Sequence, residues 1–572
     1  MSNLSRKPQS FLHGSLILII ATALVKIIGA IYKIPLYNIL DDTGVGYYTT
    51  VYDLYTPMYT IAMAGLPIAI SRIVAELVSL GKYRDAGVSF KVAKRAMLVT
   101  GGFGFVLMCL LAYPYALQKN TIELIPCILC IAPCLLFCCV MSAYRGYYEG
   151  LRNMTPTAIS QVIEAAGKLV FGLILAVVLI EITGSMTVAV CGALMGITLG
   201  TAASAGYLVI KYKKTAKTDI TEEQLACSPE PNSNRQALKM VIAIALPIVL
   251  GSLVTQVTTL IDNLMITERL EAAILANEGY ISNVYSGLIE FERLEYLKDG
   301  KIFDLAKDLP LILYGAHRGL AFSIYNLVPV LTSVLGVSAI PVLTTAWAKK
   351  DAPEVKSSIE TVIRTTALVS FPAAFGLMAL GSEAVALLYP AKIYTAPIAG
   401  INLSVLGFTA IFAGLTAPTT SMLQAIGKQK IPLYNIAVGA ILKIIINFIL
   451  VGTPEINIVG VPIGTAVCYG YICIMNIIML RKYSGSRFDF VGSAFKPFVA
   501  ALLCGASAFG AKLLVAKITD SNFVISVASI VIAVAVYVIF VILLKIIQKS
   551  DIISLPKGEK LLKVLEKLKV IG

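Results

Sequence analysis

Long apolar runs alternate with short polar connections along almost the whole chain. A helix needs roughly 20 mainly apolar residues to cross about 30 Å of hydrocarbon. No run shows the apolar–polar alternation of a barrel strand, and backbone in lipid must satisfy its own hydrogen bonds, so each run is predicted to be a helix. The pattern predicts about fourteen transmembrane helices, at 12–36, 48–71, 96–118, 124–143, 156–180, 186–210, 240–266, 319–346, 365–380, 397–423, 432–451, 458–480, 497–516 and 521–544.

The composition agrees with an all-α polytopic membrane protein. Of the 572 residues, 58% are hydrophobic and 14% are charged, whereas soluble globular proteins are about 45–50% apolar and about 25% charged. This balance excludes a water-soluble enzyme, a disordered chain and a disulfide-rich secreted module. The first span is not predicted to be a cleavable signal peptide, because its apolar run is too long and Lys26 interrupts it.

The net charge of +14 has a topological explanation. Most Lys and Arg residues fall in alternate connections, which the positive-inside rule assigns to the cytoplasm. With an even number of spans, both termini are cytoplasmic. The cationic surplus then faces anionic inner-leaflet lipid, and no nucleic-acid partner is needed to explain it.

Two stretches about 275 residues apart resemble each other. The loop from Gly150 to Pro156 opens a helix that contains Lys168, and the loop from Gly427 to Pro432 opens a helix that contains Lys443. Proline in the first turn and glycine at the preceding helix end suit such junctions. This repeat sets spans one to six against spans seven to twelve, a transporter layout with the substrate site near mid-membrane. We predict an N-lobe at 1–211, a cytoplasmic linker at 212–239, a C-lobe at 240–480 with an outer insertion at 267–311, two extra spans at 481–547 and a basic amphipathic cytoplasmic tail at 548–572.

Several spans contain ionisable residues, which cost roughly 2.5–3.5 kcal/mol each at the bilayer centre and therefore usually face a cavity or a partner. The cations outnumber the acids, so the cavity is predicted to be basic and to favour an anionic group such as phosphate or pyrophosphate. The predicted substrate-binding residues are Lys26, Lys33, Lys168, Arg318 and Lys443, and the predicted coupling or gating residues are Asp53, Glu164 and Asp262.

Simpler roles stay open for some of these positions. Lys33 can extend to the outer membrane boundary, and Asp262 can lie at a helix end. Glu164 and Lys168 are one helical turn apart and can neutralise each other. The outer insertion either caps the cavity entrance or has no role in transport.

The cysteines do not form a predicted metal or disulfide framework. Ten of the eleven lie in apolar spans, and the chain has only two histidines. Cys127, Cys130, Cys134 and Cys138 share one helix face, but they are predicted to be small buried apolar residues. No metal or other cofactor is predicted.

The sequence RGYYEGLRNMTPTAISQVIE at 145–164 resembles a signature of one transporter family. FLHGSLIL at 11–18, KIIG at 26–29 and GLPIAIS at 65–71 are similar to the same family. This is the stage V sporulation protein B / polysaccharide biosynthesis branch of the multidrug/oligosaccharidyl-lipid/polysaccharide exporter superfamily, which includes lipid II flippases of the MurJ type. The resemblance covers nearly the whole chain. It implies a V-shaped fold of two six-helix lobes plus two helices, in the bacterial cytoplasmic membrane, that moves undecaprenyl-linked sugars to the outer leaflet.

The resemblance transfers to individual residues only in part. Lys26 stands where the flippases have a functionally important Arg in their first helix. The family's second cation is replaced by Tyr32, with Lys33 beside it. Lys168 stands where the branch often has Arg, and Arg318 lies near another family Arg.

These observations together predict a flippase for an undecaprenyl-pyrophosphate-linked sugar, such as lipid II or another wall or capsule intermediate. It would work by alternating access with Na⁺ or H⁺ as the coupling ion, without enzymatic activity. One alternative is a multidrug exporter of the same fold, which would present acids to a cationic drug. A multi-pass glycosyltransferase or polysaccharide ligase is a second alternative. It would need a catalytic acid or histidine cluster, for which the outer loop near His317 is the only candidate.

Overall fold

A computed structural model describes residues 11–64, 66–298, 300–485, 488–519 and 521–546, and within these ranges the regular structure is helical. The chain divides into two compact units, Met1–Leu264 and Met265–Gly572. The predicted basic tail at 548–572 lies outside the described residues.

The first unit begins with nine helices, and the tenth helix continues past its boundary. They are α1 (Phe11–Ile39), α2 (Asp42–Ala64), α3 (Leu66–Ser79), α4 (Tyr83–Gln118), α5 (Leu124–Ile131), α6 (Cys134–Gly150), α7 (Thr155–Thr183), α8 (Met186–Asp219), α9 (Glu222–Ala226) and α10 (Asn234–Ala276).

The second unit contains the end of α10 and eleven further α-helices. They are α11 (Glu278–Val284), α12 (Ser286–Lys298), α13 (Leu305–Gly315), α14 (Phe322–Tyr325), α15 (Leu327–Ala348), α16 (Ala352–Leu388), α17 (Thr395–Ala425), α18 (Lys430–Val451), α19 (Gly460–Tyr483), α20 (Phe490–Val515) and α21 (Asn522–Leu543). A π-helical turn, Ala316–Ala321, joins α13 to α14.

The helices confirm an all-helical polytopic membrane protein. Within the described ranges, ten helical segments are long and apolar enough to cross a membrane, and they correspond to predicted spans three to six and nine to fourteen. The four other predicted spans overlap α1, α2, α10 and α15. The full count of fourteen stays a prediction.

The predicted junction signals lie at real helix ends. Helix α6 ends at Gly150, and Pro156 is in the first turn of α7, where its missing N–H costs no hydrogen bond. Gly427 follows α17 with a φ of +78°, a conformation that glycine adopts without strain. Local sequence therefore fixes both helix–loop–helix corners.

Glycines bring α7 and α8 into close contact. A Cβ atom built on Gly196 would lie 2.2 Å from the Cα of Gly172, and one on Gly167 would lie 2.6 Å from the Cα of Gly200. Small residues are typical where membrane helices pack closely, because van der Waals contact then drives association. Helix α8 places glycine every fourth residue on this face, at Gly192, Gly196 and Gly200.

Helices α16 and α17 pack through a second set of glycines. Gly400, Gly407 and Gly414 on α17 each meet α16, and a Cβ atom placed on any of them would lie 2.4–2.6 Å from an α16 atom. Leu380 has a non-helical φ of −119° and kinks α16 near this contact. The pair forms the centre of the second unit.

The predicted outer insertion at 267–311 is folded against the rest of the second unit. The end of α10 and helices α11–α13 share a buried apolar cluster with residues near the α18–α19 connection, including Leu288, Ile289, Val451 and Ile458. Tyr285 donates a hydrogen bond to Asn457 Oδ1 at 2.5 Å within this contact. A role of the outer insertion at the cavity entrance stays a prediction.

The region of the predicted linker at 212–239 is partly helical and contacts α4. Helix α8 continues to Asp219, and α10 begins at Asn234. Between them, Leu225 accepts a hydrogen bond from Arg84 Nε at 2.8 Å, and the Asn232 amide donates to Asp85. These bonds attach the connection to the start of α4.

Candidate functional site

The first unit contains a cavity of about 380 Å³ lined by α1, α2, α6, α7 and α8. We call it the basic cavity, because three cationic side chains and one carboxylate line it. Its charged residues are Lys26, Arg145, Glu164 and Lys168, and its tyrosines are Tyr32, Tyr52, Tyr55 and Tyr59.

Two tyrosine rings hold the ammonium group of Lys168. Its Nζ lies 5.0 Å from the ring centroid of Tyr32 and 4.8 Å from that of Tyr52, which is within the range of cation–π attraction. No described carboxylate lies within ion-pair distance of Lys168. The charge of this lysine is therefore positioned in the cavity without being neutralised.

Glu164 is paired with Arg145 instead. Arg145 Nη2 donates to Glu164 Oε2 at 2.9 Å, and Arg145 Nε donates to Ser160 Oγ at 2.8 Å. The hydroxyl of Tyr59 donates to Glu164 Oε1 at 3.3 Å. Neutralisation of Glu164 by Lys168, the simpler arrangement that the sequence allowed, is not the one in the structure.

The tyrosines of α2 recur at helical spacing and form a continuous aromatic ladder. Successive ring centroids lie 5.5–6.0 Å apart along Tyr48, Tyr52, Tyr55 and Tyr59. Residues three and four apart lie on the same helix face, so the sequence alone places these rings together. Tyr52, Tyr55 and Tyr59 of this ladder form an aromatic wall of the basic cavity.

A second cationic group lies in the second unit. The Arg318 guanidinium is 4.3 Å from the ring centroid of Phe322. Arg318 and Lys443 both lie within electrostatic range of the buried His317. His317 and Arg318 lie in the π-helical turn, a feature that occurs frequently at functional sites.

Asp53 and Asp262 are both buried in the first unit, outside the basic cavity. Asp53 acts electrostatically on Tyr115, whose hydroxyl donates to Asn263 Oδ1 at 2.6 Å. Lys119 donates to the main-chain carbonyl of Asn263, next to Asp262. None of these residues lines the basic cavity.

The structure thus brings together only some of the predicted site residues. Lys26, Lys168 and Glu164 line the basic cavity, whereas Lys33 does not, although it is on the same helix as Lys26. Arg318 and Lys443 both lie in the second unit, within electrostatic range of His317. Arg145 and the tyrosines are not among the residues that the sequence predicts for the site.

The predicted cysteine face is interrupted by the break between α5 and α6. Cys127 Sγ lies 3.5 Å from Cys191 Sγ on α8, and Cys134 Sγ lies 3.1 Å from the Tyr55 hydroxyl. Among the residues that the structure describes, no cluster of His, Cys, Asp and Glu has the arrangement of a metal site.

Two family models match consecutive parts of the chain. The polysaccharide biosynthesis protein family matches residues 11–288, and the lipid II flippase MurJ family matches residues 322–548. The two matches together cover most of the chain, so the chain is similar to both families over most of its length. Proteins of the multidrug/oligosaccharidyl-lipid/polysaccharide exporter (MOP) superfamily are among those it resembles, and the families matched here are transporters, not enzymes.

Individual MOP proteins show the same relationship. The lipid II flippase MurJ of Bacillus subtilis (strain 168) is 24% identical over 83% of this chain and 84% of its own length. Stage V sporulation protein B of the same organism is 21% identical over 96% of this chain and 98% of its own length.

Solved MOP structures share the fold. An inward closed conformation of MurJ has a TM-score of 0.62 at 14% identity, covering 92% of this chain and 98% of that chain. An inward-facing multidrug resistance MATE transporter also has a TM-score of 0.62, at 13% identity, covering 82% of this chain and 98% of that one. The chain therefore has the fold of MOP-superfamily transporters and is similar in sequence to MurJ and stage V sporulation protein B.

Proposed function

We propose that this protein is a flippase for an undecaprenyl-pyrophosphate-linked sugar, a lipid II-type or other wall or capsule intermediate. It would move the substrate from the inner to the outer leaflet of the bacterial cytoplasmic membrane by alternating access, with both termini cytoplasmic. The basic cavity is the observation that carries this proposal.

The charge of the cavity supports an anionic substrate group. The ion pair with Glu164 offsets the charge of Arg145, and cations still outnumber carboxylates among the residues that line the cavity. Cationic walls of low dielectric concentrate the potential and attract anions. A pyrophosphate matches the lysines of the cavity, Lys26 and Lys168, whereas a cationic drug would be repelled by them.

The aromatic wall supports a sugar beside that pyrophosphate. Tyrosine combines a flat apolar face with a hydroxyl handle, and four tyrosines line one cavity together with Gln161 and Thr201. Convergent polar groups in a largely apolar pocket fix the orientation of a ligand. Lys33, Arg318 and Lys443 are proposed to contact the substrate at other stages of the cycle.

Glu164, Asp53 and Asp262 are proposed as coupling or gating groups for H⁺ or Na⁺. Glu164 is the strongest of the three, because it lines the basic cavity and pairs there with Arg145. Ionisable residues inside membrane proteins commonly mark ion relays. In vesicles, E164Q should remove the dependence of flipping on an imposed proton or sodium gradient; a retained dependence would exclude this role.

The substrate assignment is tested by reconstitution of the full chain with fluorescent lipid II in vesicles. K26A and K168A should each slow flipping about tenfold or more, the effect of losing one charge-assisted contact. K91A is the matched control, because Lys91 is an exposed lysine of α4 outside the cavity.

Two outcomes would contradict the proposal. Flipping by K26A and K168A at the K91A rate would exclude the lysines as substrate contacts. Wild-type transport of a cationic dye in the same vesicles, without lipid II flipping, would favour the multidrug exporter.

A further inference from the structure

A second cavity, of about 480 Å³, lies in the second unit where three membrane-spanning helices end on the same side. We call it the helix-end cavity. It is formed by the last turns of α16, the first turns of α17 and the start of α21. None of its residues belongs to the basic cavity or to the Arg318 group.

One wall of the helix-end cavity is negative. Glu383 lines it, and Lys512 Nζ donates to Glu383 Oε1 at 2.7 Å, which fixes the carboxylate. The second oxygen, Oε2, is buried and has no hydrogen-bond partner among the described residues. The C-terminal end of α16, at Leu388, adds the partial negative charge of a helix terminus to the same wall.

The lining of the cavity also contains positive groups. Lys392 lines the cavity and is only 3% exposed. Helices α17 and α21 both begin at the cavity, and neither has a side-chain N-cap hydrogen bond. Helix N-termini carry a partial positive charge and present N–H groups to anions. The cavity is therefore lined by groups of both signs, a carboxylate together with a lysine and two helix N-termini.

The rim of the helix-end cavity is apolar and exposed. Ile393 is 73% exposed and Phe523 is 65% exposed, and both line the cavity. The three helices that form it are membrane-spanning segments, so their ends lie at the level of the lipid headgroups. A ligand here would place a polar group beside the charged groups and an apolar part against the rim.

We propose that the helix-end cavity binds the headgroup of an aminophospholipid of the phosphatidylethanolamine class. The ammonium group donates to Glu383 Oε2, and the phosphate lies beside Lys392 and the N-termini of α17 and α21. The acyl chains pack along Ile393 and Phe523. This is a lipid site separate from the transport cavity, and it does not depend on the identity of the transported sugar.

The headgroup requirement is tested by calorimetric titration of the purified full chain with short-chain lipids. Phosphatidylethanolamine should bind about tenfold more tightly than phosphatidylcholine, because a trimethylated ammonium cannot donate to Glu383 Oε2. It should also bind more tightly than phosphatidylglycerol, which lacks the cation. Glycerophosphoethanolamine, the same headgroup without chains, should bind weakly.

The side-chain assignment is tested with E383Q, which keeps an oxygen for Lys512 but removes the charge. Its affinity for phosphatidylethanolamine should fall about tenfold, while that for phosphatidylglycerol should not fall. E354Q is the control, because Glu354 is an exposed acid at the other end of α16. Thermal unfolding of each variant shows whether it is folded.

Each remaining outcome overturns the proposal. Equal binding of the three lipids by the wild type excludes headgroup recognition, and stronger binding of phosphatidylglycerol indicates a simple anion site. Tight binding of glycerophosphoethanolamine indicates a soluble ligand. Unchanged affinity in folded E383Q excludes Glu383, and if E383Q does not fold, the wild-type lipid series alone decides.

Discussion

The contact of Gly200 with α7 gives a direct test of how the helix packing positions the basic cavity. A Cβ atom at Gly200 would lie 2.7 Å from the backbone N of Lys168 and 2.8 Å from the carbonyl O of Glu164. Ordinary contacts of this kind are 3.4–4 Å. Because both atoms are backbone, neither can rotate away, and α7 must move by roughly 1 Å.

The change in the unfolding free energy of G200A has two opposing contributions. Overpacking of a close contact costs about 1–3 kcal/mol, and replacing glycine by alanine in a helix gains about 1 kcal/mol. G206A is the matched control on the same helix, since a Cβ at Gly206 meets nothing within 4 Å. The unfolding free energies of the two variants should therefore differ by about 1–3 kcal/mol, with G206A the more stable.

The readout combines stability with transport. Unfolding of the purified variants in denaturant measures the free-energy difference, and lipid II flipping in vesicles measures the site. Because Lys168 and Glu164 move with α7, G200A should flip much more slowly than G206A; a misplacement of about 1 Å can cost roughly 100-fold where orientation sets the rate.

Equal stability and equal flipping of G200A and G206A would refute this account of the packing. G167A supplies a reciprocal check from the other helix, because its Cβ would lie 2.6 Å from the Cα of Gly200. It should show the same direction of change as G200A.

Two further predictions concern buried polar groups. Arg145 is only 4% exposed, and E164A removes the carboxylate that pairs with its guanidinium. The unfolding free energy of E164A should therefore be about 3 kcal/mol lower than that of the wild type. The double variant R145M/E164M should recover most of this loss in the same denaturant titration, and an equally unstable double variant would contradict the pairing. N476A removes an amide that accepts from Asn435 at 2.9 Å and donates to Thr420 at 3.0 Å. N476A should lower the unfolding free energy by about 1–3 kcal/mol. An unfolding midpoint equal to that of the wild type would show that these hydrogen bonds do not stabilise the second unit.

Much of the helical framework follows from local sequence. Apolar runs of sufficient length locate the spanning helices, and the Gly150–Pro156 junction marks a real corner between α6 and α7. Helical periodicity also predicts that α7 carries polar residues on one face, and Glu164 and Lys168 both line the basic cavity. These features depend on residues close together in the chain.

Hydropathy alone assigns Arg145 to a cytoplasmic loop, whereas the structure places it in the last turns of α6. A hydropathy window ends a span where charge begins, which places the end of span four at 143. Helix α6 continues to Gly150, and the Arg145 charge is tolerated there because Ser160 and Glu164 of α7 accept its hydrogen bonds. Such compensation comes from another helix, which a window along one segment cannot detect.

The spacing of the glycines and tyrosines is visible in the sequence, but the sequence does not show which residues of other helices they contact. Gly192, Gly196 and Gly200 recur every four residues, and the α2 tyrosines recur at three and four. The glycines of α8 pack against α7 at Gly167 and Gly172, and Tyr52 of α2 lies against the ammonium group of Lys168. The distribution of Lys26, Arg318 and Lys443 between two units likewise depends on tertiary packing.

The pairing of charges in the basic cavity also determines the sign of any coupling. Lys26, Arg145 and Lys168 face a single carboxylate, Glu164. A proton or a sodium ion bound at Glu164 would cancel that carboxylate and release Arg145, so the cavity would become more positive. An anionic substrate then binds more tightly, and by thermodynamic reciprocity the substrate tightens binding of the cation by the same factor. The arrangement therefore favours loading of the cation and the anionic substrate together, in the same direction, over exchange of one for the other.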